Sequence, residues 1–244
     1  MSALLKTMSV EARLFLREPL LVFFGLVFPT LLLVVLGLVP ALVRPDPDTG
    51  RRFIEYFAPS VVVLTLAMVG LQAVPNTLAS YREQGILRRL SVTPMRPGNL
   101  LIAHLAINLV AALLSIALVM VVGNLAFDIP LPQHLPGFAL ALVTGVTALF
   151  AIGLIVAAIA PTTRAASGIA TVVFVTVMFF GGVYVPRFVL PDVITRIGAY
   201  VPPGVEALHD GWTGDTSPAG LHLLIMGLIA VVTATAAAKL FRWE

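Results

Sequence analysis

Apolar residues run along this chain in long unbroken stretches separated by short polar segments. The signal lies in the lengths of these stretches. Six of them, at about 20–43, 57–79, 100–123, 137–159, 167–185 and 218–240, are long enough to cross a bilayer as helices, because a span needs roughly 20 apolar residues. Ahead of the first stretch, residues 3–18 set apolar Leu4, Leu5, Met8, Leu14 and Phe15 among charged Lys6, Glu11, Arg13, Arg17 and Glu18. This spacing predicts an amphipathic helix lying at the membrane surface, ended or bent by Pro19. Pro29 and Pro40 fall inside the first stretch, where neighbouring helices can satisfy the carbonyls that proline leaves free. A basic start followed by an apolar run could be taken for a signal peptide. The run is too long for a signal h-region and no A-x-A-like site follows it, so a retained first span is expected. The predicted fold class is an all-α membrane protein, with one transmembrane domain over 1–244.

Composition supports this. Of 244 residues, 59% are hydrophobic and only 11% charged, and the mean hydropathy is +1.03. A soluble domain carries about 25% charged residues. Six spans with short connections leave no room for a second, water-soluble domain. The absence of cysteine excludes a disulfide framework, a thiolate metal site and a cysteine nucleophile. The net charge is +3 and the pI about 9.7, but no basic stripe with interleaved aromatics suggests nucleic acid. The basic residues instead set an orientation. With the N-terminus inside, the inner segments hold Lys6, Arg13, Arg17, Arg82, Arg88, Arg89, Arg96, Arg164, Lys239 and Arg242, ten of the fifteen Lys and Arg. The outer segments hold Arg44, Arg51, Arg52, Arg187 and Arg196. The positive-inside rule therefore places both termini in the cytoplasm.

The missing chemistry narrows the function. A phosphate-binding loop needs Gly-Lys-Ser/Thr, and the only lysines, Lys6 and Lys239, do not follow glycine. No metal site is expected, since His104, His134, His209 and His222 include no i, i+4 pair. His104, alone in the third span, reads first as a packed, hydrogen-bonded side chain. No catalytic constellation is visible, so the chain is not expected to be an enzyme by itself. No acidic or basic residue lies near the centre of a span, which argues against an ion-coupled secondary transporter and places the energy source outside this chain. The strongest polar groups at depth are Gln72, Asn76 and Asn108. Gln72 and Asn76 share a helix face. They either join helices by hydrogen bonds or, with Asn108, Phe179 and Phe180, line a substrate path. Small residues at Gly145, Ala148, Gly153, Ala157 and 233–238 suit close helix contacts.

The most informative polar segment runs from Tyr81 to Pro97. Ile86, Leu87 and Leu90 can share one face of a short helix, while Arg82, Glu83, Arg88 and Arg89 face water or a partner. Thr93-Pro94 breaks the helix, and Pro97-Gly98 turns the chain into the third span. Physics alone leaves a lipid-anchored surface helix and a docking helix equally open. Glu83, Gly85, Leu87, Arg88, Arg89, Leu90, Thr93 and Pro94 resemble the signature of ABC-2 type permeases, the membrane subunits of ATP-binding-cassette exporters. The resemblance covers the whole chain, and within that family it is similar to bacterial drug-resistance permeases of the daunorubicin-exporter type.

The resemblance implies a permease dimer, formed by two copies or by this chain and a close relative. Each copy would bind a cytoplasmic ATPase subunit, which holds the ATP and Mg. The helix about 80–92 would couple to that ATPase through Arg82, Glu83, Gly85, Leu87, Arg88, Arg89 and Leu90, and the location would be a bacterial inner membrane. It further implies short re-entrant helices within 186–216, with Tyr184, Pro186, Pro202 and Pro203 at an outer gate, although that stretch on its own also reads as a plain outer loop. The cargo implied is a hydrophobic or amphipathic drug, lipid or glycoconjugate, and the physiological role implied is efflux or antibiotic resistance.

Overall fold

The computed structural model describes residues 3–47, 50–86, 89, 97–185, 190–214 and 220–240. Among the described residues every regular element is a helix. In chain order these are α1 (Ala3–Arg17), α2 (Pro19–Gly37), α3 (Pro40–Val43), α4 (Phe53–Glu83), α5 (Pro97–Phe127), α6 (Leu135–Ile159), α7 (Thr163–Phe180), α8 (Asp192–Gly198), α9 (Val205–Thr213) and α10 (Gly220–Leu240). Six of them, α2, α4, α5, α6, α7 and α10, are long and apolar enough to span a bilayer. The all-α class and six spans agree with the pattern of the sequence.

The spans are not equivalent. In α4, 89% of the most apolar stretch is buried, against 44% in α6 and 17% in α10. The second span is therefore the axis around which the others pack. Ile54, Val61, Val62, Val63, Leu66 and Leu71 are fully enclosed or nearly so, against Leu33 of α2, Leu149 of α6, Met178 of α7 and Leu208 of α9. Helix α1 lies along α5, and α10 along α6.

Where α4 crosses α6 the backbones nearly touch, because a Cβ on Gly153 would strike the Gly70 carbonyl oxygen and one on Gly70 would meet the Leu149 Cβ at 3.0 Å. Without a hydrophobic drive between helices in lipid, such close approach supplies the packing energy. Two stretches, Phe23–Val27 in α2 and Met68–Ala73 in α4, widen to π-helix. They pack on each other, and Ser115 of α5 donates to the Leu26 carbonyl at 3.2 Å, an outside partner for backbone that has left the α-helical ladder.

Several element ends differ from the sequence expectation, each for a local reason. The first span stops at Gly37 rather than 43, because Val39 is extended ahead of Pro40 (φ −87, ψ 112). The second starts at Phe53 rather than 57, where the Glu55 carboxylate reaches back to the Arg52 backbone N–H at 3.4 Å. It then runs unbroken to Glu83, so no separate helix begins at 80. The fifth span starts at Thr163 rather than 167, because the Thr162 hydroxyl caps it by accepting from the Ala165 N–H at 3.1 Å. It ends at Phe180, not 185.

The Gly70–Gly153 contact makes a prediction. Gly153→Ala should destabilise the purified chain by about 1–3 kcal/mol through overpacking. Gly168→Ala on exposed α7, where no atom lies within 4 Å of the new Cβ, should be neutral or slightly stabilising. Thermal unfolding in detergent compares the two.

Candidate functional site

The best-organised polar structure is at the end of the bundle that carries α1. There three consecutive residues close the second span, and each holds a different element. Tyr81 donates its hydroxyl to Glu11 Oε1 of α1 at 3.0 Å. Arg82 directs its guanidinium onto the last carbonyls of α6, donating to Ala157 at 3.2 Å and also to Ala158 and Ala160. Glu83 accepts a hydrogen bond from the Thr163 hydroxyl in the first turn of α7.

Helix ends explain this arrangement. The last carbonyls of α6 have no partners within their own helix. They form a partially negative pole that a guanidinium suits, while the N-terminus of α7 is a positive pole that a carboxylate suits. The connection from α6 to α7 is only Ala160-Pro161-Thr162, with Ala160 extended ahead of the proline (φ −70, ψ 124). Opposite poles of two helices therefore lie side by side, and adjacent residues of opposite charge match them. This corrects the expectation that Arg82 faces water or a partner, whereas Glu83 does face water. Arg82 is half-buried and engaged within the chain, and Glu83, though exposed, is also engaged.

Gly85 follows with φ +67, a left-handed conformation that ends α4 and strains any residue with a Cβ. Beyond it Arg89 folds back, donating to the Gln84 carbonyl at 2.7 Å and to the Gly85 carbonyl at 3.5 Å. Leu87, Arg88 and Leu90 lie outside the described residues, as do Thr93 and Pro94.

Behind Tyr81 is a buried cluster that the sequence reading missed. Glu11, 4% exposed, takes His104 Nδ1 at 2.9 Å on its second oxygen. Asn108 Nδ2 lies 3.2 Å from His104 Nε2 and donates to the His104 backbone carbonyl at 2.9 Å. His104 is thus packed and hydrogen-bonded, as its isolation predicted, but its partner is a carboxylate 93 positions away. One signal was available. Glu11 falls on the stripe Leu4, Met8, Phe15 that α1 turns toward α5, so it interrupts the apolar face rather than joining the polar one.

The remaining candidate residues are spread along the bundle. Asn76 donates to the Gln72 carbonyl at 2.7 Å and lies 3.5 Å from the Gln72 side-chain oxygen, while Asn108 is bound to His104. Phe179 and Phe180 stack edge to face with centroids 5.5 Å apart at the opposite end of α7. That end also carries Tyr184, which is 55% exposed, and Pro202 and Pro203, joined by a cis bond. Pro186 lies outside the described residues. A Cβ on Gly145 of α6 would collide with Pro203. Helix α9 lays Leu208 and Trp212 into the core, and Trp212 meets Phe138 of α6 at 5.6 Å. Among the described residues no group of three His, Cys, Asp or Glu converges as metal ligands.

A family model described as ABC-2 type transporter matches residues 4–206. No curated protein matches the chain.

The junction makes a second prediction. Arg82→Ala strands the carbonyls of Ala157 and Ala160, at a cost of about 1.5–3 kcal/mol for a charged hydrogen-bond donor. The chain should become cleavable by trypsin at Arg164 under conditions where the parent resists. Arg82→Lys should recover only part of that protection, because lysine lacks the planar fork.

Proposed function

The chain belongs to the ABC-2 type transporter family as the permease component of an ABC transporter, and from that membership we propose that it is the transmembrane half of an exporter driven by a separate ATPase. In this reading two permease copies, or this chain and a close relative, assemble in a bacterial inner membrane with two cytoplasmic ATPase subunits. Those subunits bind ATP and Mg, and this chain binds neither. Both termini and the 84–96 connection face the cytoplasm, as the distribution of Lys and Arg supports. The cargo is a hydrophobic or amphipathic molecule, such as a drug, lipid or glycoconjugate, matching the apolar spans. A drug cargo would make the protein a resistance determinant, as the resemblance to daunorubicin-type permeases suggests.

The observation that carries this reading is the junction at the end of the second span. A partner pressing on residues 84–96 would move Tyr81, Arg82 and Glu83, and through them α1, the end of α6 and the start of α7. Three elements outside the second span would then receive one displacement, and α4 would transmit it along the core. Arg88 and Arg89, with Leu87 and Leu90, supply the charged and apolar contacts for the partner. At the opposite end, Tyr184, Pro186, Pro202 and Pro203, with α8 and α9, form the outer gate. The burial of Leu208 and Trp212 of α9 fits short helices that re-enter the membrane, since irregular backbone at that depth must be covered by protein. Gln72, Asn76, Asn108, Phe179 and Phe180 remain the candidates along the path.

Three measurements test the reading. Purified alone, the chain should hydrolyse no ATP, and it should copurify with a co-expressed ATPase encoded beside it. Hydrolysis by the chain alone would overturn the two-subunit assignment. Glu83→Ala should insert normally but lower the ATPase activity of the assembled complex severalfold, and unchanged activity would remove the coupling role. A reporter at residue 50 should map outside and one at residue 85 inside, and the reverse pattern would refute the orientation.

A further inference from the structure

We propose that the cavity between α8, α9 and α10 holds the headgroup of a zwitterionic phospholipid of the phosphoethanolamine class, with its phosphate on Arg196 and its ammonium toward Glu206. The cavity measures about 330 Å³ and is lined by Thr195, Arg196, Ala199, Tyr200, Glu206 and His222. That volume lies at the lower end of the range for small-molecule sites.

Its place in the fold brings it to the membrane surface. Helix α7 ends at Phe180, α10 begins at Gly220, and the short helices α8 and α9 lie between them in the chain. Gly198 of α8 packs on Phe180, since a Cβ there would meet the Phe180 carbonyl oxygen at 3.1 Å. Tyr200, just beyond α8, sets its ring edge to face against His222 in the first turn of α10, with centroids 5.0 Å apart. The cavity is therefore level with the ends of two spans, where the headgroups of a bilayer begin. Apolar side chains flank it along the chain. Val193 and Ile197 on α8, and Leu221 and Leu224 on α10, are all more than half exposed. Surface of that kind suits acyl chains.

The lining offers both signs of charge. The Arg196 and Tyr200 side chains are exposed and make no hydrogen bond or ion pair among the described residues. His222 is half-buried, and its Nδ1 is shut off from solvent without a partner. A guanidinium, a phenol and an imidazole N–H are donors that suit a phosphate diester, the first of them through two parallel bonds. The Thr195 hydroxyl is already given to the Asp192 carbonyl at 2.9 Å and adds nothing. Glu206, in the first turn of α9, decides the rest of the ligand. It already has a partner, but a carboxylate has about four acceptor sites and one partner does not exhaust it. A purely anionic group in this space would meet Glu206 as a like charge, and a cation would meet Arg196. A zwitterion satisfies both, and a primary ammonium donates hydrogen bonds to the carboxylate where a quaternary one has none to give. Water answers the polar lining alone, whereas a lipid answers the lining and the apolar flanks together.

The test uses the whole chain, delipidated in detergent and without an ATPase, so its outcome does not depend on the transport reading. Native mass spectrometry counts binding of phosphatidylethanolamine, phosphatidylcholine and phosphatidylglycerol of one acyl composition, with inorganic phosphate as the lipid-free arm. Phosphatidylethanolamine should fill one saturable site several-fold more tightly than either other lipid. Arg196→Gln should weaken that binding about tenfold, the scale of one charged hydrogen bond. Arg196 is exposed, so this variant should melt with the parent when no lipid is present. Glu206→Gln should erase the advantage over phosphatidylglycerol. Equal occupancy by the three lipids, or a preference that survives Arg196→Gln, would overturn the site. Inorganic phosphate that displaces the lipid at equal concentration would reveal a free phosphate site and overturn the lipid assignment. Tightest binding of phosphatidylglycerol would remove the role of Glu206 and overturn it as well. Should Glu206→Gln fail to fold, the order of the three lipids on the unmodified chain decides the matter.

Discussion

In hydrocarbon a backbone carbonyl or a charge that lacks a partner inside the protein has no water to turn to. Much of this structure can be read as the consequence. The sharpest case is the end of α6, where Ala157, Ala158 and Ala160 would present bare carbonyls had Arg82 not covered them. The partner had to come from another helix, because α6 stops at Ile159 and Pro161 prevents its continuation. Satisfying one helix end thus ties the second span to the fourth, and Glu83 on Thr163 extends the tie to the fifth. A junction of this kind resists separation of its members, because opening it would expose several polar groups at once.

The same constraint explains why the second span lies at the centre. Helix α4 carries Gly70 where it meets Gly153, and the short side chains allow the two backbones to approach until the carbonyl of one blocks a Cβ on the other. Around it the aliphatic residues from Ile54 to Leu71 are enclosed on all sides. A helix buried along its length transmits displacement better than one flanked by lipid, because close-packed neighbours have no free volume in which to absorb motion. The two facing π-helical stretches of α2 and α4 are the exceptions to that regularity, and they lie between the junction and the opposite end of the bundle.

At the other end the polar demands are met by loops. Arg52 donates to the Asp128 carbonyl at 2.8 Å. The N–H groups of Gln133 and His134 donate to the carbonyls of Trp212 and Gly211 at 3.1 and 3.0 Å. These bonds join the connection after α3 to the one after α5, and the latter to α9, with backbone carbonyls as the acceptors. The two ends thus differ in chemistry: a buried carboxylate, phenol and imidazole mark one, while at the other the Arg52–Glu55 pair accompanies peptide groups and stacked aromatics.

The sequence by itself determined the class of the protein. Six apolar stretches need only length and composition to be recognised, since the bilayer imposes both. The break at Pro19 was readable because proline restricts the residue ahead of it whatever the tertiary context, whereas the break before Pro40 was hidden by an apolar run that continues to residue 43. The Glu83-Gly85 signature was also local, while the left-handed angle that calls for glycine at 85 came from the structure. What only the tertiary structure decided is which polar side chains meet. Arg82 and Glu83 looked like surface charges because the helix ends that attract them lie 75 to 80 positions away. Glu11 looked like one charge among several because His104 and Tyr81 are likewise distant in the chain. Burial pairs such groups through the packing of three or four helices, and that packing leaves no periodic trace along the sequence. It rests on where small residues permit close approach, which is a property of two surfaces in contact.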